Sequence, residues 1–175
     1  KQSILRGTNE TANLMDWVTL LKPKKIVYIS TGHVYGDLNR IIDESSTANP
    51  KSLYAILHMF SEQYVKNLGI PYLIMRPQAG FGKVGNFFNR WELIPFSFPR
   101  SLATENKIEI KTHGKQFRNF VSTSTIARIV NNEIELKDSK TINPIGAHSM
   151  SIIDFANYCI ETLRPILKKR VRIIN

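Results

Sequence analysis

The sequence predicts an α/β protein with a parallel sheet and helices crossing over it. Two short apolar runs rich in β-branched and aromatic residues, KIVYIS at 25–30 and PYLIMR at 71–76, read as buried strands. Between them lie a loop rich in Ser, Thr, Asn and Asp at 43–50 and a helical stretch from 51 to about 68, stopped by Gly69. Strand, loop, helix, strand is the rhythm of a parallel crossover unit. At 175 residues and 42% apolar, the chain can bury a core, and its size fits one domain or one large piece of a bigger one.

The remaining elements follow in chain order. Leu14, Trp17, Val18 and Leu21 recur at helical spacing over 9–21, and Pro23 ends that helix. Residues 80–99, rich in Gly, Pro and aromatics, are expected to form a long loop with a short helix. KIEIK at 107–111 alternates as an exposed strand does. A helix is expected over 122–135, a strand over 141–145 and a helix over 151–167, with Arg164-Pro165 near its end. No internal repeat or low-complexity segment interrupts them.

The charge of +10 fits nucleic acid or phosphorylated ligands. Its distribution argues against nucleic acid. Lys22, Lys24 and Lys25 crowd one turn, Lys168, Lys169, Arg170 and Arg172 crowd the far end, and the rest are dispersed without interleaved aromatics. The single cysteine, Cys159, excludes an internal disulfide and sits in an apolar helical pattern, so it reads as buried and inert. His113 and His148 have no metal-ligand spacing to each other or to Cys159, His33 reads as loop surface, and no metal site is expected. With no apolar run of about 18 residues and no signal-peptide pattern, a cytoplasmic protein without a membrane partner is expected.

Gly80, Gly82 and Gly85 spell G-x-G-x-x-G after a strand, the form of a dinucleotide-binding turn. Such a turn must open a helix whose N-terminal N–H groups hold a pyrophosphate. Here Pro95 and Pro99 arrive before any long helix is expected, so the segment reads as a glycine-rich loop.

A constellation carries more. KIVYIS runs into Thr31-Gly-His-Val-Tyr-Gly36, Tyr54 follows on its helix, and the next strand ends in Arg76-Pro77. Further on stand GKQFRNFV at 114–121 and INPIG at 142–146, the latter followed by SMSIIDFANYCIE. These ordered blocks resemble the extended short-chain dehydrogenase/reductase family, the NAD-dependent nucleotide-sugar epimerases and dehydratases. There a strand ends in S/T-x-x-V-Y-G, a Y-x-x-x-K helix follows, and G-x-x-x-R-D-F-V comes later.

The resemblance implies the later part of a Rossmann-type parallel sheet with flanking helices, over about 1–80, and a small C-terminal substrate lobe over 81–175, some of whose segments return to the sheet. It implies NAD or NADP as cofactor, a nucleotide-sugar substrate, and a homodimer through the Tyr54 helix. The family's first strand, glycine-rich turn and ribose-reading acid have no counterpart here. Lys1 falls where that sheet is half built, so a fragment, poorly soluble alone, is expected.

By position the resemblance makes Tyr54 the acid/base and Thr31 the hydroxyl donor, and it puts His58 in the lysine's place. Ser30, Tyr54, His58 and Pro77 fall at cofactor-binding positions, and Arg118, Thr31 and Ala79 at substrate positions. A free tyrosine has a pKa near 10, which the family lysine lowers with its fixed charge. A histidine titrates near 6.5 and, when neutral, lowers it far less. Ala79 also stands for an asparagine, Phe81 for a tyrosine, and Asn119 and Ser124 for two aspartates. Two functions therefore remain open: an NAD(P)-dependent epimerase, dehydratase or reductase, and a catalytically weakened relative that binds a dinucleotide or sugar nucleotide in a regulatory or structural role. Tyr54 and His58 four residues apart are also compatible with ordinary helix packing.

Overall fold

The two apolar runs become neighbouring parallel strands in the computed structural model, which describes residues 2–86, 89–167 and 171–174. β1 (Ile26–Ile29) pairs with β2 (Tyr72–Met75), Ile26 opposite Tyr72 and Ile29 opposite Met75. β6 (Lys140–Ile142) lies parallel on the other side of β2. The order β1-β2-β6 makes β2 central, and its Leu73, Ile74 and Met75 are fully buried. A central parallel strand covered on both faces needs such an unbroken apolar run. β1 is an edge in this order, and Ile29 is 45% exposed.

These strands belong to the first of two compact units, Lys1–Gln78 with Thr125–Pro144. Its helices are α1 (Gln2–Leu21), which starts earlier than the apolar spacing implies, α2 (Leu53–Asn67), and most of α4 (Thr123–Glu133). Ser52 caps α2 by accepting the Ala55 N–H at 3.3 Å. Gly7 lets α1 approach α2, since a Cβ there would stand 2.9 Å from Leu57 Cδ1. Lys25 is no surface cation. Its Nζ, with a side chain 3% exposed, donates to the carbonyls of Glu133 and Leu136 at 2.7 and 2.8 Å. It thereby satisfies the last carbonyl of α4 and one just beyond it, where positive charge is favoured.

The second unit is Ala79–Ser124 with Ile145–Asn175. β3 (Ala79–Phe81) runs parallel to β5 (Phe117–Ser122), which pairs antiparallel with β7 (Ser149–Ser151). β4 (Lys107–Glu109) pairs in parallel with β8 (Arg172–Ile174), a strand the sequence reading did not anticipate. Lys168, Lys169 and Arg170 of the basic cluster lie outside the described residues. α3 (Ile94–Glu105) and α5 (Ile152–Leu163) join the strands over a core of Phe98, Leu102, Ile108, Ile110, Ile152, Ala156 and Cys159. Phe155 stacks on Phe120 with centroids 4.2 Å apart.

Three expectations change here. Residues 94–99 belong to a regular helix: Pro95 sits in the first turn of α3, where its missing N–H has no partner to lose, and Pro99 is held inside by the burial of Phe98 and Leu102. KIEIK is exposed on one face only, because Ile108 and Ile110 enter the core. α5 stops at Leu163 and a 3-10 turn, Arg164–Ile166, replaces its last turn. Cys159 is 5% exposed, and burial pushes its thiol up to about 11, so no thiolate forms near neutrality.

Gly146 shows how tightly the second unit is packed. A Cβ there would stand 1.8 Å from the Phe120 carbonyl oxygen. Asn119 holds the same residue from both sides, accepting its N–H at 2.7 Å and donating to its carbonyl at 3.2 Å. An aspartate at 119 would make only the first of these bonds. Gly146→Ala is therefore expected to destabilise the chain by about 1–3 kcal/mol, read as a lower urea midpoint. An unchanged midpoint would show that the backbone contact between Gly146 and Phe120 yields freely.

Candidate active site

Strand alternation turns Ile26, Tyr28 and Ser30 to one face of β1. On α2, residues 54, 58 and 62 stack one turn apart and share a face. The two faces meet. Tyr28 Oη and His58 Nδ1 are 2.9 Å apart, and Ser30 Oγ donates to Glu62 Oε1 at 2.5 Å. Tyr54 stands at the start of the helix, 55% exposed, with its ring edge-on to His58 at 4.5 Å between centroids.

Below the tyrosine the face becomes a buried ionic knot. Glu62 is fully buried and takes Arg76 Nη2 at 2.6 Å and Nε at 3.0 Å. Burial opposes the Arg76 charge, and the Glu62 bonds outweigh it and hold the guanidinium above its ordinary value. The Arg76 guanidinium also lies 4.8 Å from the Tyr35 ring centre, and Tyr35 Oη donates to Asn143 at 3.0 Å. The strand end that carries Ser30 and Thr31 is thus fixed to the tyrosine helix through one carboxylate.

Thr31 is 3% exposed and caps a 3-10 turn, Gly32–Tyr35, accepting the His33 N–H at 3.3 Å. Its own O–H remains available to donate. The His33 ring lies 6.2 Å from that of Tyr54. Ser30 has its hydroxyl turned into the core, so only its backbone could face a ligand. Pro77 follows β2, and its carbonyl accepts the Gly32 N–H at 2.7 Å.

A cavity of about 280 Å³ opens beside Tyr54 and His58, lined also by Thr11, Tyr28, Leu57 and Ser61 among others; Ser30, Thr31 and Pro77 are not part of its lining. Burial pulls the His58 imidazole below its ordinary value, against a weaker opposing effect of Glu62. The ring is therefore neutral near pH 7, a hydrogen-bonding group and not a fixed charge.

Ala79 and Arg118 belong to the second unit, on β3 and β5. Arg118 Nη1 donates to the Phe117 carbonyl at 2.6 Å, and burial lowers its guanidinium from the ordinary value. Gly82–Gly85 is irregular and the next described helix begins at Ile94, so the glycine triplet opens no helix. Among the described residues no three of His, Cys, Asp or Glu are grouped to hold a metal, and no helix is long and apolar enough to cross a membrane.

Tyr28, Ser61 and Glu62 escaped the sequence reading. The signal for Glu62 was present: an acid one turn beyond His58 on the apolar face, with an arginine ending the next buried strand. Tyr28 gave none, because its partner lies 30 residues away.

A parallel sheet whose crossover helix presents a phenol beside a cavity, together with a second small lobe, belongs to the Rossmann-type α/β class. The sequence model of the NAD dependent epimerase/dehydratase family matches residues 4–143, and the chain belongs to that family. No curated protein matches it in sequence.

Solved structures share the fold. A UDP-N-acetylglucosamine 4-epimerase from Methanobrevibacter ruminantium M1, in complex with UDP-N-acetylmuramic acid, superposes with a TM-score of 0.77 at 23% identity, over 95% of this chain and 55% of that one. A UDP-glucuronic acid 4-epimerase from Bacillus cereus, in complex with NAD, gives 0.75 at 24%, over 94% and 54%. RMD from Pseudomonas aeruginosa, complexed with NADPH, gives 0.75 at 20%, over 94% and 57%. The chain spans little more than half the length of these structures.

Proposed function

We propose that this chain carries the acid–base residues of an NAD- or NADP-dependent epimerase, dehydratase or reductase acting on a nucleotide-linked sugar. The observation behind this reading is Tyr54, partly exposed at the head of its helix and set against His58 beside a cavity. The cavity's hydroxyls and imidazole suit a ribose, and Leu14 and Leu57 offer an apolar wall. At about 280 Å³ it falls just under the usual range for ligand pockets, so it fits the nicotinamide riboside end of a dinucleotide and not the whole.

When bound, the nicotinamide would exchange hydride with the sugar carbon. Tyr54 Oη moves the proton of the sugar hydroxyl, and the Thr31 O–H donates to the same sugar oxygen. His58 holds the cofactor ribose. By the family pattern the backbones at Ser30 and Pro77 also fall to the cofactor and Ala79 to the substrate, although none of the three lines this cavity. Arg118, a half-buried cation disfavoured by its surroundings, gains by gripping a diphosphate. A homodimer through α2 belongs to the same reading, since Ile56, Phe60 and Tyr64 on that helix are each at least 41% exposed.

The second reading, a weakened relative, is favoured by the neutral His58 in the position of a fixed charge. Incubating the protein with NAD or NADP and a set of nucleotide-linked hexoses, with products resolved by chromatography, separates the two. His58→Lys, made in the full-length protein, restores a cation one turn from Tyr54 and is expected to raise turnover at pH 7 by about tenfold or more. Equal or slower turnover, with cofactor binding and fold intact, would remove the charge argument. No conversion of any sugar by either form would favour the binding role.

A further inference from the structure

We infer that Tyr28 is a positioning residue that fixes His58 as the Nε2–H tautomer, so that its remaining N–H is the donor offered to the cofactor ribose. The inference deepens the reading above and rests on it for the identity of the ligand.

A strand residue and a helix residue share one hydrogen bond. Tyr28 Oη and His58 Nδ1 are 2.9 Å apart, one on β1 and one on α2. Either atom could carry the proton between them. Burial lowers the imidazole's basicity and raises the Tyr28 phenol, so near neutrality the ring is uncharged and the phenol keeps its proton. An uncharged imidazole nitrogen is a strong acceptor, and a phenol donates better than it accepts. The bond therefore runs from Tyr28 O–H to Nδ1. A neutral ring has one N–H, which is then on Nε2.

Ser61, which lines the same cavity as Tyr28, donates to the Leu57 carbonyl at 3.1 Å, and its Oγ is 2.9 Å from Thr11 Oγ1 on α1. The groups facing His58 are thus Tyr54, Ser61 and Glu62 from its own helix, Tyr28 from the strand, and Thr11 from α1 through Ser61; His33 approaches through Tyr54. Glu62 is the one carboxylate among them, and its oxygens are taken by Arg76 and Ser30. None of the others competes for Nδ1 as a stronger donor than the phenol.

A flexible lysine carries its charge wherever it points. A neutral imidazole presents a donor on one edge only, and half of its tautomers would turn a lone pair toward a ribose hydroxyl. Tyr28 removes that ambiguity before the ligand arrives, which is preorganisation in its simplest form.

The test reads the tautomer directly. Histidines are labelled with ¹⁵N, two-bond ¹H–¹⁵N spectra are recorded on the protein without ligand, and the His58 signals are assigned by their loss in His58→Gln. Wild type is expected to show a bare, accepting Nδ1 and a protonated Nε2, and Tyr28→Phe a mixture of both tautomers. A protonated Nδ1 in wild type, or an unchanged tautomer in Tyr28→Phe, overturns the inference. If Tyr28→Phe fails to fold, the wild-type spectrum alone decides the first point. Affinity for NAD and NADP, by calorimetry on the same proteins, is expected to fall about fivefold to tenfold in Tyr28→Phe. A changed tautomer with unchanged affinity overturns the ribose contact. A full-length wild type that binds neither dinucleotide sinks the functional reading, while the spectrum still judges Tyr28.

Discussion

Tyr54→Phe is expected to lower turnover by about 10²–10⁴-fold while leaving the fold in place. The substitution removes one hydroxyl and keeps the ring. The contacts that position that ring are edge contacts to His58 and His33, which phenylalanine reproduces. At 55% exposure the hydroxyl contributes little to stability, and the cost is expected to stay within about 0.5 kcal/mol. Loss of rate without loss of structure is what separates a proton-transferring phenol from a packing one. The measurement is kcat for the interconverted nucleotide sugar, with the thermal midpoint as control. A rate within about threefold of wild type would move the proton transfer to another group and leave Tyr54 as ordinary helix surface. Cofactor affinity should change much less than kcat, because the same ring still faces the cavity.

The elements that were legible in the sequence are those whose local and global signals agree. β1, β2 and α2 fall where the apolar runs and Gly69 put them. α3 was legible only in part: a short helix was expected within 80–99, but Pro95 and Pro99 count against a longer one locally and the burial of Phe98 and Leu102 overrides them. β8 hid within a basic segment whose pairing with β4 is long-range. The site divides in the same way. Tyr54, Thr31 and His58 were visible as a motif, whereas the Tyr28–His58 bond and the role of Glu62 depend on which strand face meets which helix face. The histidine in the lysine's place looked like a bare departure. Its structural context supplies a partner, and a reason why the ring is neutral.

Glu62→Ala is expected to cost about 3–5 kcal/mol of stability, a large share of the roughly 5–15 kcal/mol that holds a domain together. The carboxylate is fully buried and the Arg76 side chain is 7% exposed, so removing one leaves the other charged and unpaired inside the protein. Ser30 loses its acceptor in the same step. Glu62→Gln keeps the shape and is expected to fall short of repair, because its amide turns N–H groups toward donors. The decisive comparison is Glu62→Leu combined with Arg76→Met, which removes both charges and should lose less than Glu62→Ala alone. Urea midpoints for the three variants rank them. If Glu62→Ala costs under about 1 kcal/mol, water or a shifted side chain must satisfy Arg76, and the knot is no longer the anchor it looks like. If the anchor holds, the double variant carries a second consequence. Glu62 links the strand end bearing Thr31 to the helix bearing Tyr54, so a chain stabilised by the apolar pair should still turn over more slowly than wild type. Stability recovered and rate not recovered would show that the carboxylate sets the geometry of the reacting groups as well as holding the fold.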